Sequence, residues 1–380
     1  MKNASADKKS ILSKARRVVI KVGSAVLTSS GGGLDQKRIE QLAKEIVSIM
    51  DGRREVVLVS SGAIAAGLAK LGLKKTKGMP LPLKQAAAAV GQSGLMWMYE
   101  KTFGAHGKKV AQVLLTREDL SNRSRFLNAR NTLHTLLEYD VIPIINENDT
   151  VAVDEIKFGD NDNLSGMVVQ LTDADLLIIL SDIDGLYTAD PRLHPDARFI
   201  PVVEKITAEM ERGAGDALSG VGTGGMRSKI MTAKKVGAYG VPMVILNGKK
   251  TGLLAALFGG SESGTLFLPR LEKMDSRKHW IAYTAASKGG IVVDDGGRDA
   301  LVHKGKSLLP GGVVSVEGTF KVGDCVNCLD LRGSVFARGL TKYSSGELEL
   351  IKGLKTSQIE PVLGHKDYDE VIHRDDLVIL

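Results

Sequence analysis

Side chains able to do chemistry concentrate in one stretch, 146–165. It reads N-E-N-D-T-V-A-V-D-E-I-K-F-G-D-N-D-N-L-S and holds six acids (Glu147, Asp149, Asp154, Glu155, Asp160, Asp162), four asparagines and one lysine, Lys157. An aspartate only accepts hydrogen bonds, whereas an asparagine both donates and accepts, so together they can hold an ammonium and a carboxylate in one pocket. The plainer alternative is a polar loop that caps the next helix through Asp162 or Asn163. Two lysines sit on glycine turns elsewhere, Lys21 in V-V-I-K-V-G-S and Lys229 in G-T-G-G-M-R-S-K. Gly23 and Ser24 let backbone N–H groups approach a phosphate, which makes Lys21 either a phosphate clamp or a lysine snorkelling from a strand edge. The turn 222–229 is not a Walker A sequence, because the order G-x-x-x-x-G-K-[ST] is absent. It still offers free amides and a lysine one helical turn in; a surface loop is the alternative. Lysines from two sides of a cleft supply the charge that phosphoryl transfer needs on its equatorial and bridging oxygens. Acids at strand ends would carry Mg²⁺ or orient the ammonium heads. These residues point to an ATP-dependent kinase of a small molecule.

Other chemistries lack their residues. There is no H-E-x-x-H, no Cys/His cluster at zinc spacing and no G-x-S-x-G elbow, and the seven histidines are scattered. Cys325-Val326-Asn327-Cys328 is a lone C-x-x-C with no second pair and no preceding βα turn, so packing is its expected role. No metal-binding residue can be assigned.

The elements that must position these groups alternate. Apolar runs at 18–22, 56–59, 110–115, 141–145, 176–180 and 243–246 read as buried strands, and helical periods fall between them, as at Ile39, Leu42, Ala43, Ile46 and Met50. Further helices are expected over 84–101 and 126–139. The pattern predicts a three-layer α-β-α sandwich around a mostly parallel open sheet, with ligands outside the carboxyl ends of the strands. From about residue 285 the helical periods stop, and short apolar runs alternate with glycine turns, predicting a small β-rich module. The expected division is a basic disordered tail over 1–16, a kinase domain over 17–268, a linker over 269–287, a β-rich domain over 288–366 and a terminal segment over 367–380.

The chain of 380 residues carries a net charge of +7, which invites a nucleic-acid partner. Residues 1–17 alone hold +5 of it, so the remaining body is close to neutral. The polar N-terminus has no secretory core, no apolar run nears the roughly 20 residues that span a bilayer, and two cysteines suit a reducing cytoplasm.

Seven runs then carry a specific resemblance: V-V-I-K-V-G-S, V-S-S-G-A-I-A-A-G, F-L-N-A-R-N-T, I-N-E-N-D, G-D-N-D-N-L-S, D-G-L-Y-T-A-D-P and G-T-G-G-M, in that order. The chain resembles the glutamate 5-kinases of proline biosynthesis, with an amino-acid-kinase domain and an appended PUA domain. The resemblance implies transfer of the γ-phosphoryl of ATP to the side-chain carboxylate of L-glutamate, with Mg²⁺ on the nucleotide. It implies that Lys21 and Lys229 stabilise the transferring group and Asp162 holds both lysines. It assigns glutamate to Ser61, Asn146, Asp149 and Asn161. It assigns ATP to Lys21, Ser181, Asp182, Thr223, Gly224, Gly225, Met226, Arg227, Ser228 and Lys229. Serine at 181 keeps the hydroxyl of the threonine common there. Lys157 and Asp160 are implicated in feedback inhibition by proline, and a homo-oligomer, dimer or tetramer, is expected. Acetylglutamate kinase or aspartokinase activity is the nearest alternative. RNA binding by the PUA domain is the other, and residues 288–362, with ten basic and nine acidic side chains, give it a weak electrostatic footprint.

Overall fold

The computed structural model describes residues 2–29, 31–74, 76, 78–151, 161–213, 225–269, 281–282 and 285–380, with backbone alone at 2–7, 123 and 213. Backbone contacts divide the chain into two units, Met1–Leu120 with Ser124–Lys273, and Met274–Leu380 with Ser121–Arg123.

In the first unit each long apolar run forms a strand. The strands are β1 (Arg17–Val22), β2 (Glu55–Ser60), β3 (Lys109–Leu115), β4 (Val141–Glu147), β5 (Leu176–Ser181), the short β6 (Leu186–Tyr187), β7 (Phe199–Ile200) and β8 (Val202–Val203), then β9 (Met243–Asn247) and β10 (Thr265–Phe267). Eight of them form one sheet in the order β3-β4-β2-β1-β5-β9-β10-β8, parallel throughout except where β10 meets β9. The helices are α1 (Lys2–Lys14), α2 (Ser24–Leu27), α3 (Gln36–Met50), α4 (Ala63–Lys70), α5 (Leu81–Gly104), α6 (Arg117–Ser121), α7 (Arg123–Glu138), α8 (Asn161–Thr172), α9 (Ala208–Gly213), α10 (Met226–Ala238) and α11 (Leu253–Phe258). Val18, Ile20, Leu58, Ile144, Ile178 and Val244 share a core with Ile39, Leu42 and Ile46 of α3 and Leu95, Tyr99 and Phe103 of α5. The residues between them, such as Val19, Val57, Leu177 and Ile179, are equally buried; α8 lies against those strands and α10 against α8 and β9. A strand sealed on both faces reads as an unbroken apolar run, which is why these strands were legible.

The sequence β1 to β2 steps one way along the sheet and β5 lies on the other side of β1, so the strand order reverses at β1. A crevice opens at such a point, outside the carboxyl ends of the strands. In register, Lys21 of β1 lies beside Val59 and Ile179, and Val22 beside Ser60 and Leu180.

The N-terminal segment corrects an expectation. Residues 2–14, expected to be a disordered tail, form α1. Leu12 and Ala15 are buried in the main core, and the Lys8 Nζ donates to the carbonyls of Glu262, Ser263 and Gly264 at 3.2, 2.7 and 3.2 Å. A few anchoring contacts give order to a segment whose composition is mostly polar.

The second unit has a five-stranded sheet in the order β12-β11-β13-β14-β15, from β11 (Gly289–Val293), β12 (Val313–Gly318), β13 (Cys325–Leu329), β14 (Val335–Leu340) and β15 (Leu377–Ile379). Its own core includes Ile291, Val326, Phe336, Leu348 and Ile372. The terminal segment over 367–380, expected to lie outside the β-rich domain, supplies β15, paired antiparallel to β14. Ile281, Ala282 and Ala285, expected in a linker, are buried, and Arg338 donates to the carbonyls of Ala282 and Ala285; residues 270–280 of that linker lie outside the described residues. Cys325 and Cys328 are buried free thiols on β13, both pushed up by burial, Cys328 to about 12.

Candidate active site

Strand ends and helix starts converge at the crevice beside β1. Lys21 comes from β1, Ser60 and Ser61 from the end of β2, Asn146 and Asp149 from the end of β4, and Ser181 and Asp182 from the end of β5. Asn161 and Asp162 open α8, while Gly225–Lys229 opens α10. These two helices run side by side, with Lys235 Nζ donating to Asn163 Oδ1 at 2.6 Å and no side chain on Gly166 where it faces Thr232. Their packing sets Lys229 against Asp162.

The centre is a buried triad. Asp162 Oδ1 lies 2.5 Å from Lys21 Nζ, and Asp162 Oδ2 accepts from Lys229 Nζ at 3.0 Å and from Ser228 Oγ at 3.1 Å. Asp162 is 0% exposed, Lys21 6% and Lys229 4%. Burial pushes the Asp162 carboxyl up, and the two ammonium groups more than offset it, holding it at about 2. One carboxylate between two lysines leaves a net positive centre in a low-dielectric place. That arrangement suits a group bringing its own negative charge.

Beside the triad lies an amide network. Asn161 Nδ2 approaches Ser60 O at 2.9 Å, Ser61 Oγ at 2.8 Å and Asn146 Oδ1 at 3.0 Å. Asn146 Oδ1 also accepts from the Glu147 backbone N–H at 2.9 Å, and Asn146 Nδ2 donates to Gln92 Oε1 at 2.9 Å. Burial alone pushes the Asp149 carboxyl up to about 6. A half-buried carboxylate whose charge is disfavoured is a natural seat for an ammonium, which would restore its ionisation.

Of the residues the sequence singled out, the structure joins Lys21, Lys229, Asp162 and Ser228 in one cluster, and Ser61, Asn146 and Asn161 in the adjoining one. Ser181 Oγ donates to Asp182 Oδ1 at 3.3 Å, and Asp182 is exposed, so this pair joins neither cluster. Gly225 is the uncapped N-cap of α10, leaving the amides of Met226, Arg227 and Ser228 at an open helix start. Thr223, Gly224, Lys157 and Asp160 lie outside the described residues. In the turn after Lys21 the Gly23 N–H donates to Leu180 O at 3.1 Å, so that amide serves the β1–β5 junction and is not available to a phosphate, while Ser24 opens α2.

Two features were missed in the sequence. Gln92, on α5, anchors the amide network, but a glutamine in an alanine-rich helix gives no periodic signal. Gly67 and Gly91 set α4 against α5: a Cβ on Gly67 would fall 1.7 Å from Ala87 O, and one on Gly91 1.9 Å from Ala63 O. The small residues at Ala63, Gly67, Ala87 and Gly91 were the available sign of that contact.

A parallel sheet reversing at β1, with a lysine–aspartate–lysine centre at its carboxyl edge, defines a phosphotransferase of the α/β class. Residues 16–247 match the amino acid kinase family and residues 289–363 the PUA domain. A glutamate 5-kinase of Geobacter sulfurreducens is 55% identical over 97% of this chain and 99% of its own length, and one of Geobacter metallireducens is 56% identical over the same shares. A glutamate 5-kinase of Syntrophus aciditrophicus is 51% identical over 98% of this chain and 97% of its own. The chain belongs to the amino acid kinase family and, within it, to the glutamate 5-kinases. The solved UMP kinase of Bacillus anthracis matches 67% of this chain and 97% of its own at a TM-score of 0.47 and 18% identity. Among the described residues no helix is long and apolar enough to cross a membrane.

Proposed function

We propose that the chain transfers the γ-phosphoryl group of ATP to the side-chain carboxylate of L-glutamate, giving L-glutamyl 5-phosphate and ADP, the first step of proline biosynthesis. The observation that carries this reading is the buried Lys21–Asp162–Lys229 centre beside the amide network of Asn146 and Asn161. One oxygen of the glutamate side chain attacks the γ-phosphorus, and the bond from that phosphorus to the β–γ bridging oxygen breaks. The electron pair leaves with ADP. No general base is required, because a carboxylate of ordinary pKa is already ionised at pH 7. The difficulty is charge: an anionic nucleophile must approach an anionic triphosphate. Lys21 and Lys229 offset that repulsion, and Asp162 fixes where their ammonium heads sit.

Mg²⁺ fits this site as part of the nucleotide. Both oxygens of Asp162 are committed to ammonium groups, and Mg²⁺ on the phosphates needs few protein carboxylates. When bound it neutralises the β and γ oxygens. Ser181, Asp182 and the start of α10 take the nucleotide in this reading, and Ser61, Asn146, Asp149 and Asn161 take glutamate. Proline, which shares the α-carboxylate and an ammonium, competes for the same pocket as a feedback inhibitor. The enzyme acts in the cytoplasm as a homo-oligomer, and the PUA domain has a structural or regulatory role.

Turnover of ATP with L-glutamate, trapped with hydroxylamine, tests the reaction. Wild type should give glutamate-dependent hydroxamate, and Lys229→Ala and Asp162→Ala should both lose it. Preference for N-acetylglutamate or aspartate would keep the phosphotransferase and discard the substrate.

A further inference from the structure

The amide network has a direction that can be deduced. The Glu147 backbone N–H can only donate, so the Asn146 side chain must turn its Oδ1 toward it. That leaves Asn146 Nδ2 as the donor to Gln92, and Gln92 must present its Oε1. The Gln92 Nε2 is then left over: it is buried and has no hydrogen-bond partner among the described residues. Asn161 is in the opposite position, with its Nδ2 committed and its Oδ1 buried without a partner among the described residues. Buried amide groups are rarely left unsatisfied, and those that are usually await something. One spare donor and one spare acceptor, both on amides hydrogen-bonded to Asn146, match an α-amino acid, whose carboxylate only accepts and whose ammonium only donates.

We infer that Gln92 is a specificity-determining residue for the acceptor: its Oε1 fixes the Asn146 amide, and its Nε2 donates to the α-carboxylate of the bound amino acid. This rests on glutamate being the acceptor and adds which atom reads its α-carboxylate. Asn161 Oδ1 and Asp149 would face the ammonium. Gln92 reaches this position because α5 lies in backbone contact with α4 through Gly67 and Gly91.

The test uses the full chain with Gln92→Glu, nearly the same in shape. Glutamate at 92 keeps an oxygen for Asn146 Nδ2 but replaces the free donor with an anionic acceptor. It should repel the α-carboxylate of L-glutamate and accept instead from the α-carboxamide of L-isoglutamine, which keeps the side-chain carboxylate and the α-ammonium. Steady-state ADP release should show the ratio of kcat/KM for L-glutamate over L-isoglutamine falling on the order of 100-fold or more in the variant. The KM for ATP should hold. Isothermal titration of both amino acids supplies the same ratio if turnover becomes too slow to measure. An unchanged ratio, including equal loss of both ligands, would make Gln92 a packing residue and overturn the inference. Wild type that fails to phosphorylate glutamate at all would instead overturn the reading on which it rests.

Discussion

With both oxygens of Asp162 committed to ammonium groups, removing its charge leaves two lysines buried and uncompensated. Breaking such a pair costs about 3–5 kcal/mol, and loss of a fixed charge at a transferring group costs on the order of 10²–10³ in kcat. Asp162→Asn should therefore lower both the urea midpoint and kcat. The pH dependence has a definite sign. The folded carboxyl sits at about 2, below its ordinary value of 3.8, so its stabilisation, about 2 kcal/mol, is present above pH 4 and lost as pH falls through 2. Urea melts should show the gap between wild type and Asp162→Asn closing between pH 5 and 2; a constant gap would mean Asp162 is not the ionised partner of the lysines. Asp149 runs the other way. Burial holds it at about 6, so in the free protein it is protonated below that pH and ionised above it. An ammonium binds only the ionised form. Glutamate KM should rise about tenfold for each pH unit below 6 while the KM for ATP moves little, and Asp149→Asn should raise KM and remove that slope. A slope that persists in the variant would assign the titration elsewhere.

At the scale of elements, the amide network proposed to take glutamate depends on how closely two helices approach. A Cβ at Gly91 would meet Ala63 O at 1.9 Å and Gly67 N at 2.4 Å, distances that only a shift of backbone can relieve. Gly91→Ala should lower the melting temperature by an overpacking cost of about 1–3 kcal/mol. Because α5 carries Gln92 and Ser61 and Gly62 precede α4, the same variant should raise glutamate KM severalfold more than ATP KM, which steady-state kinetics on both substrates would read. Equal changes in both would put the damage in the fold as a whole. The strands of this unit were legible because burial on both faces writes itself as an apolar run, and Lys21 stood out by interrupting one. The close packing of α4 on α5 was not legible, since it depends on residues that lack side chains. Nor was α1, because Lys8, Leu12 and Ala15 are too few to dominate the composition of a polar segment. The lysine–aspartate–lysine centre could be anticipated only with the family resemblance, for residues 21, 162 and 229 are brought together by the sheet and by α8 against α10, not by spacing.

Over the whole molecule, the described groups of the lysine–aspartate centre and the amide network lie in the first unit, and each unit has its own hydrophobic core. A unit with its own core can fold alone. The second unit adds little charge: the near balance of basic and acidic side chains over 288–362 gives phosphates few partners. If the chemistry belongs to the first unit, a chain ending at residue 268 should melt cooperatively and keep kcat and both KM values within about threefold of the full chain, as expected when a change is independent of the reacting groups. Calorimetry of the full chain should then resolve two transitions, only one of them raised by ATP and glutamate, because a ligand stabilises the unit that binds it. The proposed inhibition by proline, tested on both forms, would separate two roles for the second unit. Equal inhibition would leave proline acting at the glutamate pocket alone, whereas weaker inhibition of the shortened chain would give the PUA domain a part in regulation. A shortened chain that melts cooperatively yet turns over no ATP would show that the second unit completes the site, and the assignment of catalysis to the first unit would fail.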